Sequence, residues 1–216
     1  MTLPRFLHRL PATTLLLAVL SLVLSCSPLS EILQYDRNNI AAGQVWLLVT
    51  GHLSHWNTDN LFWDLLVFLV LGSLVEQRSR RLFRFCLLCS PLLISAALWH
   101  LLPEMDRYRG LSGVDSALFT CLGTVMIQER LAERDLRGCS FIILAAVAFL
   151  TKIVYETLTM QAVFSSTDGL FIPVPLAHLS GGATGIASAL LVRRERKESE
   201  EYGRTEQTGC KQSTLP

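Results

Sequence analysis

Charge is scarce in this chain. Asp, Glu, Lys and Arg make up 17% of its 216 residues, where a soluble domain carries about a quarter. Half of the residues are hydrophobic and fall in long blocks rather than short periodic faces. An ordinary soluble domain is thereby excluded, and the composition is that of a membrane protein. The net charge of +1 says little about partners, because distribution matters more than the sum; the expected partner is the lipid bilayer, not nucleic acid. An internal repeat is also lacking, and so is a disulfide framework. Five of the six cysteines, Cys26, Cys86, Cys89, Cys121 and Cys139, lie in or beside apolar segments, and Cys210 is in the tail. Cys86 and Cys89 form a C-x-x-C without a second Cys/His pair, which argues for small buried hydrophobes rather than a metal or redox centre. No cofactor is expected.

Long apolar runs are what the chain does have. A helix needs about 20 apolar residues to cross a bilayer, and six candidates stand at 12–29, 60–77, 83–102, 112–128, 139–160 and 174–192. The sequence predicts an all-α, polytopic bundle of six transmembrane helices over 12–192, between a cytosolic N-terminus (1–11) and a polar, disordered cytosolic tail (193–216). Basic residues test that count, since they favour the cytosolic side of short loops. Arg5 and Arg9 precede the first segment, and Arg78, Arg80, Arg81 and Arg84 separate the second from the third. Arg130, Arg134 and Arg137 separate the fourth from the fifth, and Arg193, Arg194, Arg196, Lys197, Arg204 and Lys211 follow the sixth. Together these are 15 of the 19 basic residues, all on one side if there are six spans and both termini are cytosolic.

Two stretches stand apart. Arg5, Arg9, an apolar run and Val23-Leu24-Ser25-Cys26 look like a lipoprotein signal peptide, although the bulky Leu24 before Ser25 weakens the match. The segment from Glu31 to Asp59 is long and carries Tyr35, Trp46, His52, His55 and Trp56. Aromatic residues of this kind settle at membrane interfaces, so a partly helical element against the outer leaflet is expected there, not a seventh span.

Gly110-Leu111-Ser112-Gly113 opens the fourth segment. A serine between glycines at a helix N-terminus suits a nucleophile, because free N–H groups of the first turn can donate to a developing oxyanion. About 17 residues give roughly 25 Å of helix, short of a hydrocarbon core near 30 Å, so this helix should end below the surface with Ser112 in a recess. A small-residue packing motif is the competing account. His178 lies near the outer end of the sixth segment, where an ionisable side chain is costly and marks a functional site. Gly181, Gly182 and Gly185 share its helical face, and Ser112, Ser116 and Gly123 give a small face on the fourth segment. Packing the two together would bring a serine hydroxyl to an imidazole, the arrangement of an activated nucleophile. An interfacial histidine satisfied by water or headgroups is the alternative. Asp115 needs a partner at depth; Lys152 and Glu156, four apart, could pair with each other or reach it. His52 and His55 are expected to brace the interfacial loop.

These pieces resemble the rhomboid family of intramembrane serine proteases: Gly110-Leu111-Ser112-Gly113, His178 with its glycines, Leu71-Gly72-Ser73-Leu74-Val75-Glu76, and the run from Trp46 to His55, in the right order over about residues 40–192. Within that family the compact chain and Thr50-Gly51-His52-Leu53 look closest to the bacterial rhombosortase branch. The resemblance implies a bacterial inner-membrane endopeptidase cutting a membrane-anchored protein substrate, in that branch at a C-terminal Gly-Gly-containing anchor. Ser112 would be the nucleophile and His178 the general base. The family stabilises its oxyanion with a histidine and an asparagine four residues apart on helix two, and the positions here are Asn60 and Asp64. Asn60 can still donate; Asp64 is an acceptor. That departure leaves open an inactive rhomboid-like binder of transmembrane segments. A channel or transporter is a third class, disfavoured by the missing repeats. The charge pattern is testable by fusion: a reporter active only in the cytosol should be active after Arg134 and silent after Met105, and the opposite result would overturn six spans.

Overall fold

The computed structural model describes residues 10–164 and 172–192. In chain order they form α1 (Ala12–Ser25), α2 (Leu29–Ile32), β1 (Tyr35–Asp36), α3 (Arg37–Ala41), α4 (Leu47–Thr50), a 3₁₀ turn (Gly51–Leu53), α5 (Thr58–Arg78), α6 (Arg80–Leu101), β2 (Arg107–Tyr108), α7 (Ser112–Ala132), α8 (Leu136–Thr159) and α9 (Pro175–Val192). Each of the six apolar segments contains most of one helix of 14 to 24 residues. Four of these, α5, α6, α8 and α9, are long and apolar enough to cross a membrane, by length and composition. Helix α1 is apolar but has 14 residues. The protein is all-α and polytopic, with one addition, the two-residue antiparallel pair β1–β2. The N-terminus before Leu10 and the polar tail from Arg193 lie outside the described residues.

Helix α7 is the hub. It packs on α5, α6 and α8 and buries Val114, Ala117, Leu118 and Cys121. It also runs longer than its hydropathy predicts: 21 residues, or roughly 31 Å at 1.5 Å per residue. The apolar run stops near Gln128, but Glu129, Arg130, Leu131 and Ala132 are good helix formers and carry the helix on. The added turn is polar, so the apolar part of α7 keeps about the length expected. Helix α8 is peripheral by contrast. Phe141, Leu144, Val147, Val154 and Leu158 on it are exposed, and its buried residues are Cys139, Ile153 and Glu156.

The close approach of α7 and α9 depends on glycine. A Cβ on Gly181 would overlap the Gly113 carbonyl oxygen, and one on Gly185 would overlap that of Ala117. Thr120 Oγ1 donates to Gly182 O at 2.8 Å across the same seam. The face on α9 is the one expected, whereas the α7 face is Gly113, Ala117 and Thr120. Ser112 and Ser116 lie beside that face, and Gly123 has Ile142 of α8 as its neighbour at 3.8 Å.

The stretch between α1 and α5 consists of short helical turns, as expected of an interfacial element. Its basic residue Arg37 closes the end of α6, donating through Nη2 to the carbonyls of Leu98, Trp99 and Leu102 at 3.1, 2.9 and 3.0 Å and lying 4.5 Å over the Trp99 ring. That placement suits the helix C-terminus, where unpaired carbonyls gather. At the other end of the bundle, Glu76 explains the Gly72–Glu76 motif. Its carboxylate is buried and accepts from Thr13 N (3.0 Å), Thr14 N (2.8 Å) and Thr14 Oγ1 (2.8 Å), capping the free N–H groups that open α1. Each hydrogen bond to a charged group is worth about 1.5–3 kcal/mol. Glu76→Ala should lower the thermal unfolding midpoint of the detergent-solubilised protein and cost at least ~2 kcal/mol; an unchanged midpoint would show that α1 is held by other means.

Candidate active site

The turn before α7 is tied down by backbone pairing. Tyr35 faces Tyr108 and Asp36 faces Arg107 across β1–β2, and Gly110 N donates to Gly51 O at 3.3 Å. Gly110 has φ +127°, a conformation that L side chains rarely adopt, so glycine at the start of the motif is required by the turn. Asp64 on α5 completes the fixture: its Oδ2 accepts from Leu111 N at 3.0 Å and lies 3.2 Å from His55 Nε2. His55 Nδ1 in turn sits 3.0 Å from Ser25 Oγ. Asp64 thus accepts from the turn that leads into Ser112.

Ser112 is the first residue of α7, and the N-cap residue Leu111 supplies no side-chain cap. Ser112 is half-buried and lines a cavity of about 760 Å³ together with Asn60, Asp64, Ser116, Glu156 and His178. Asn60 is buried and its Oδ1 has no hydrogen-bond partner among the described residues, consistent with a side chain turned toward the cavity. Tyr108 was not singled out by its sequence context, yet its phenol donates to Gly110 O at 3.3 Å and lies within reach of the Ser112 side chain and the Gly113 N–H. Burial, and secondly the charge of Asp64, hold this phenol well above the ordinary tyrosine range, so it remains a proton donor. A polar-tipped aromatic four residues before the serine was the available signal.

His178 is buried and meets the serine face of α7, but through Ser116. Its Nδ1 lies 3.2 Å from Ser116 Oγ, and among the described hydrogen bonds none joins it to Ser112. Ser116 also donates to Ser112 O at 2.8 Å, the back-bond common for serine within a helix. On its other side, His178 Nε2 lies 3.3 Å from Glu156 Oε2 and 3.4 Å from Lys152 Nζ. Lys152 and Glu156 pair at 2.8 Å, one of the two pairings the sequence allowed. Asp115 has a buried Oδ1 without a hydrogen-bond partner among the described residues, and Asp64 and Lys152 are the charges that act on it.

A protein-family comparison matches residues 42–195 to the Rhomboid domain. The chain belongs to the rhomboid family. The matched stretch runs from the interfacial turns to the end of α9, so it contains every side chain lining the cavity. A comparison with curated proteins gives no match.

Among its described residues this rhomboid domain has two Ser/His side-chain contacts, and they differ in kind. His52 Nε2 lies 3.1 Å from both Pro91 O and Ser95 Oγ, and Ser95 donates to Leu48 O at 2.7 Å. Neither residue lines the cavity. Burial pushes the His52 imidazole down to about 4, against its backbone hydrogen bonds with Pro91 and Gly110, so the ring stays neutral and braces the interfacial turns on α6. Among the described residues no group of three or more His, Cys, Asp or Glu could hold a metal ion. The Asp64 contact is directly testable. Asp64→Ala removes the acceptor for Leu111 N and should destabilise the protein by about 1.5–3 kcal/mol while slowing any reaction at Ser112. Asp64→Asn keeps an acceptor oxygen and should fall between the two, read from thermal midpoints and serine-probe labelling.

Proposed function

We propose that this rhomboid is a serine endopeptidase that cuts membrane-anchored proteins within the bilayer, with Ser112 as nucleophile and His178 as general base. One observation carries the reading: a half-buried serine at a helix N-terminus and a buried histidine open on the same cavity, from two helices in backbone contact. Both serines line the cavity, but Ser112 is half-buried whereas Ser116 is buried and its hydroxyl donates to Ser112 O. The histidine bond to Ser116 is the resting arrangement, and catalytic hydrogen bonds often tighten only when substrate is bound. In the reaction Ser112 Oγ attacks the substrate carbonyl while its proton passes to His178. The tetrahedral oxyanion is met by N–H groups of the first turn of α7 and by the Asn60 amide. His178 then protonates the leaving amine, and water hydrolyses the acyl-serine ester.

The finer parts of the reading follow the sequence. Six crossings with both termini in the cytosol fit the basic residues, and a bacterial inner membrane fits the resemblance. Removal of a C-terminal Gly-Gly-type anchor, the rhombosortase reaction, is the substrate choice suggested by Thr50-Gly51-His52-Leu53. A domain division at 12–192 belongs to the same proposal.

A second reading is favoured by one distance: Ser116 Oγ to His178 Nδ1 at 3.2 Å would make Ser116 the nucleophile. A fluorophosphonate probe on the detergent-solubilised protein separates the two. Ser112→Ala should reduce labelling on the order of 10³-fold or more, and Ser116→Ala should keep it within about tenfold. The reverse pattern would move the nucleophile to Ser116. Absence of labelling in the parent protein would leave a rhomboid that binds transmembrane segments without cutting them.

A further inference from the structure

Helix α8 is the most lipid-exposed of the spanning helices, yet it turns two charged side chains inward. Its buried residues are only three, and one of them is Glu156, 2% exposed. A carboxylate at such depth is costly and calls for a partner. Lys152, one turn earlier, already supplies one at 2.8 Å, so a self-contained ion pair would require nothing further. Glu156 nevertheless reaches two more groups. Its Oε1 accepts from Val163 N at 3.1 Å, and its Oε2 lies 3.3 Å from His178 Nε2.

Among the described residues, the polar groups at the His178 ring are Ser116, 3.2 Å from Nδ1, and Glu156 and Lys152, 3.3 and 3.4 Å from Nε2. The two groups at Nε2 favour opposite tautomers. A carboxylate can only accept, so it stabilises a proton on Nε2 and leaves the Nδ1 lone pair facing α7. An ammonium can only donate, so it would empty Nε2 and put the proton on Nδ1, where the ring could no longer accept from a serine. Lys152 is nearer the carboxylate than the ring, which leaves the Nε2 proton to Glu156.

We infer that Glu156 is the positioning residue of His178: it fixes the Nε2–H tautomer and aims the basic Nδ1 at the serine face of α7, giving the Ser/His pair a third, carboxylate member supplied by α8. The role rests on His178 being the general base, but the tautomer can be measured without turnover. In full-length protein labelled with ¹⁵N-histidine and reconstituted in bicelles, with His178→Gln used to assign its signals, the parent should show protonated Nε2 and unprotonated Nδ1. Glu156→Gln is nearly isosteric and can still accept from Val163 N through its amide oxygen. Its NH₂ donates to Nε2, so the proton should move to Nδ1. In the same preparations, fluorophosphonate labelling by Glu156→Gln should show a maximal rate lowered at least ~30-fold with the half-saturating probe concentration within about threefold, because only the base is misdirected. Glu156→Asp should recover part of that rate. A parent ring protonated at Nδ1, or a tautomer unmoved in Glu156→Gln, would overturn the inference whatever the labelling. If Glu156→Gln fails to fold, the parent spectrum alone decides. The expected tautomers with a parent that takes no label would leave the hold of Glu156 on the His178 tautomer standing and remove the peptidase reading.

Discussion

Two backbones in contact inside the bundle are the constraint on which the rest depends. Lipid tails are as apolar as leucine, so helices in a membrane gain little from burying apolar surface and associate by close packing instead. Here α7 and α9 meet where Gly181 lies on the carbonyl of Gly113 and Gly185 on that of Ala117. Any side chain at those glycines would force the helices apart. His178, one turn outward from Gly181, would withdraw with α9 from the serine face of α7. The glycines therefore set the distance at which an imidazole and a hydroxyl can interact.

A second layer of control comes from elements outside the main helices. The interfacial turns between α1 and α5 receive the Gly110 N–H, brace α6 through His52, and close its end through Arg37. Asp64 links this layer to the serine by holding Leu111 N. The carboxylate at this position of α5 thus acts as a clamp on the turn that opens α7.

Much of this was legible in the sequence, for physical reasons. Long apolar blocks mark helices because no other single segment satisfies its backbone within lipid, and all six blocks coincide with helices. The glycine face on α9 followed from spacing alone. What was not legible was rotational phase. Whether Ser112 or Ser116 points at His178 depends on the turn of α7 about its axis, and a small-residue stripe leaves that choice open among neighbouring positions. Helix α7 also runs past its apolar block, because hydropathy locates a bilayer edge while helix propensity carries the chain past it. Glu156 was read as a partner for Lys152, as the i,i+4 spacing allows, but its reach to a third helix is a tertiary fact that no local pattern encodes.

The two-residue ribbon between Tyr35–Asp36 and Arg107–Tyr108 has a consequence for how the family can diversify. A β pair alternates faces with every residue, and only Arg109 and the Gly-Leu pair separate this one from the serine. Adding or deleting one residue in that short span would turn Tyr108 outward, or carry Ser112 about 100° around its helix. Length variation in this protein should then gather elsewhere, in connections that are not stitched at both ends, while the tether ahead of α7 keeps a constant residue count even where its composition drifts.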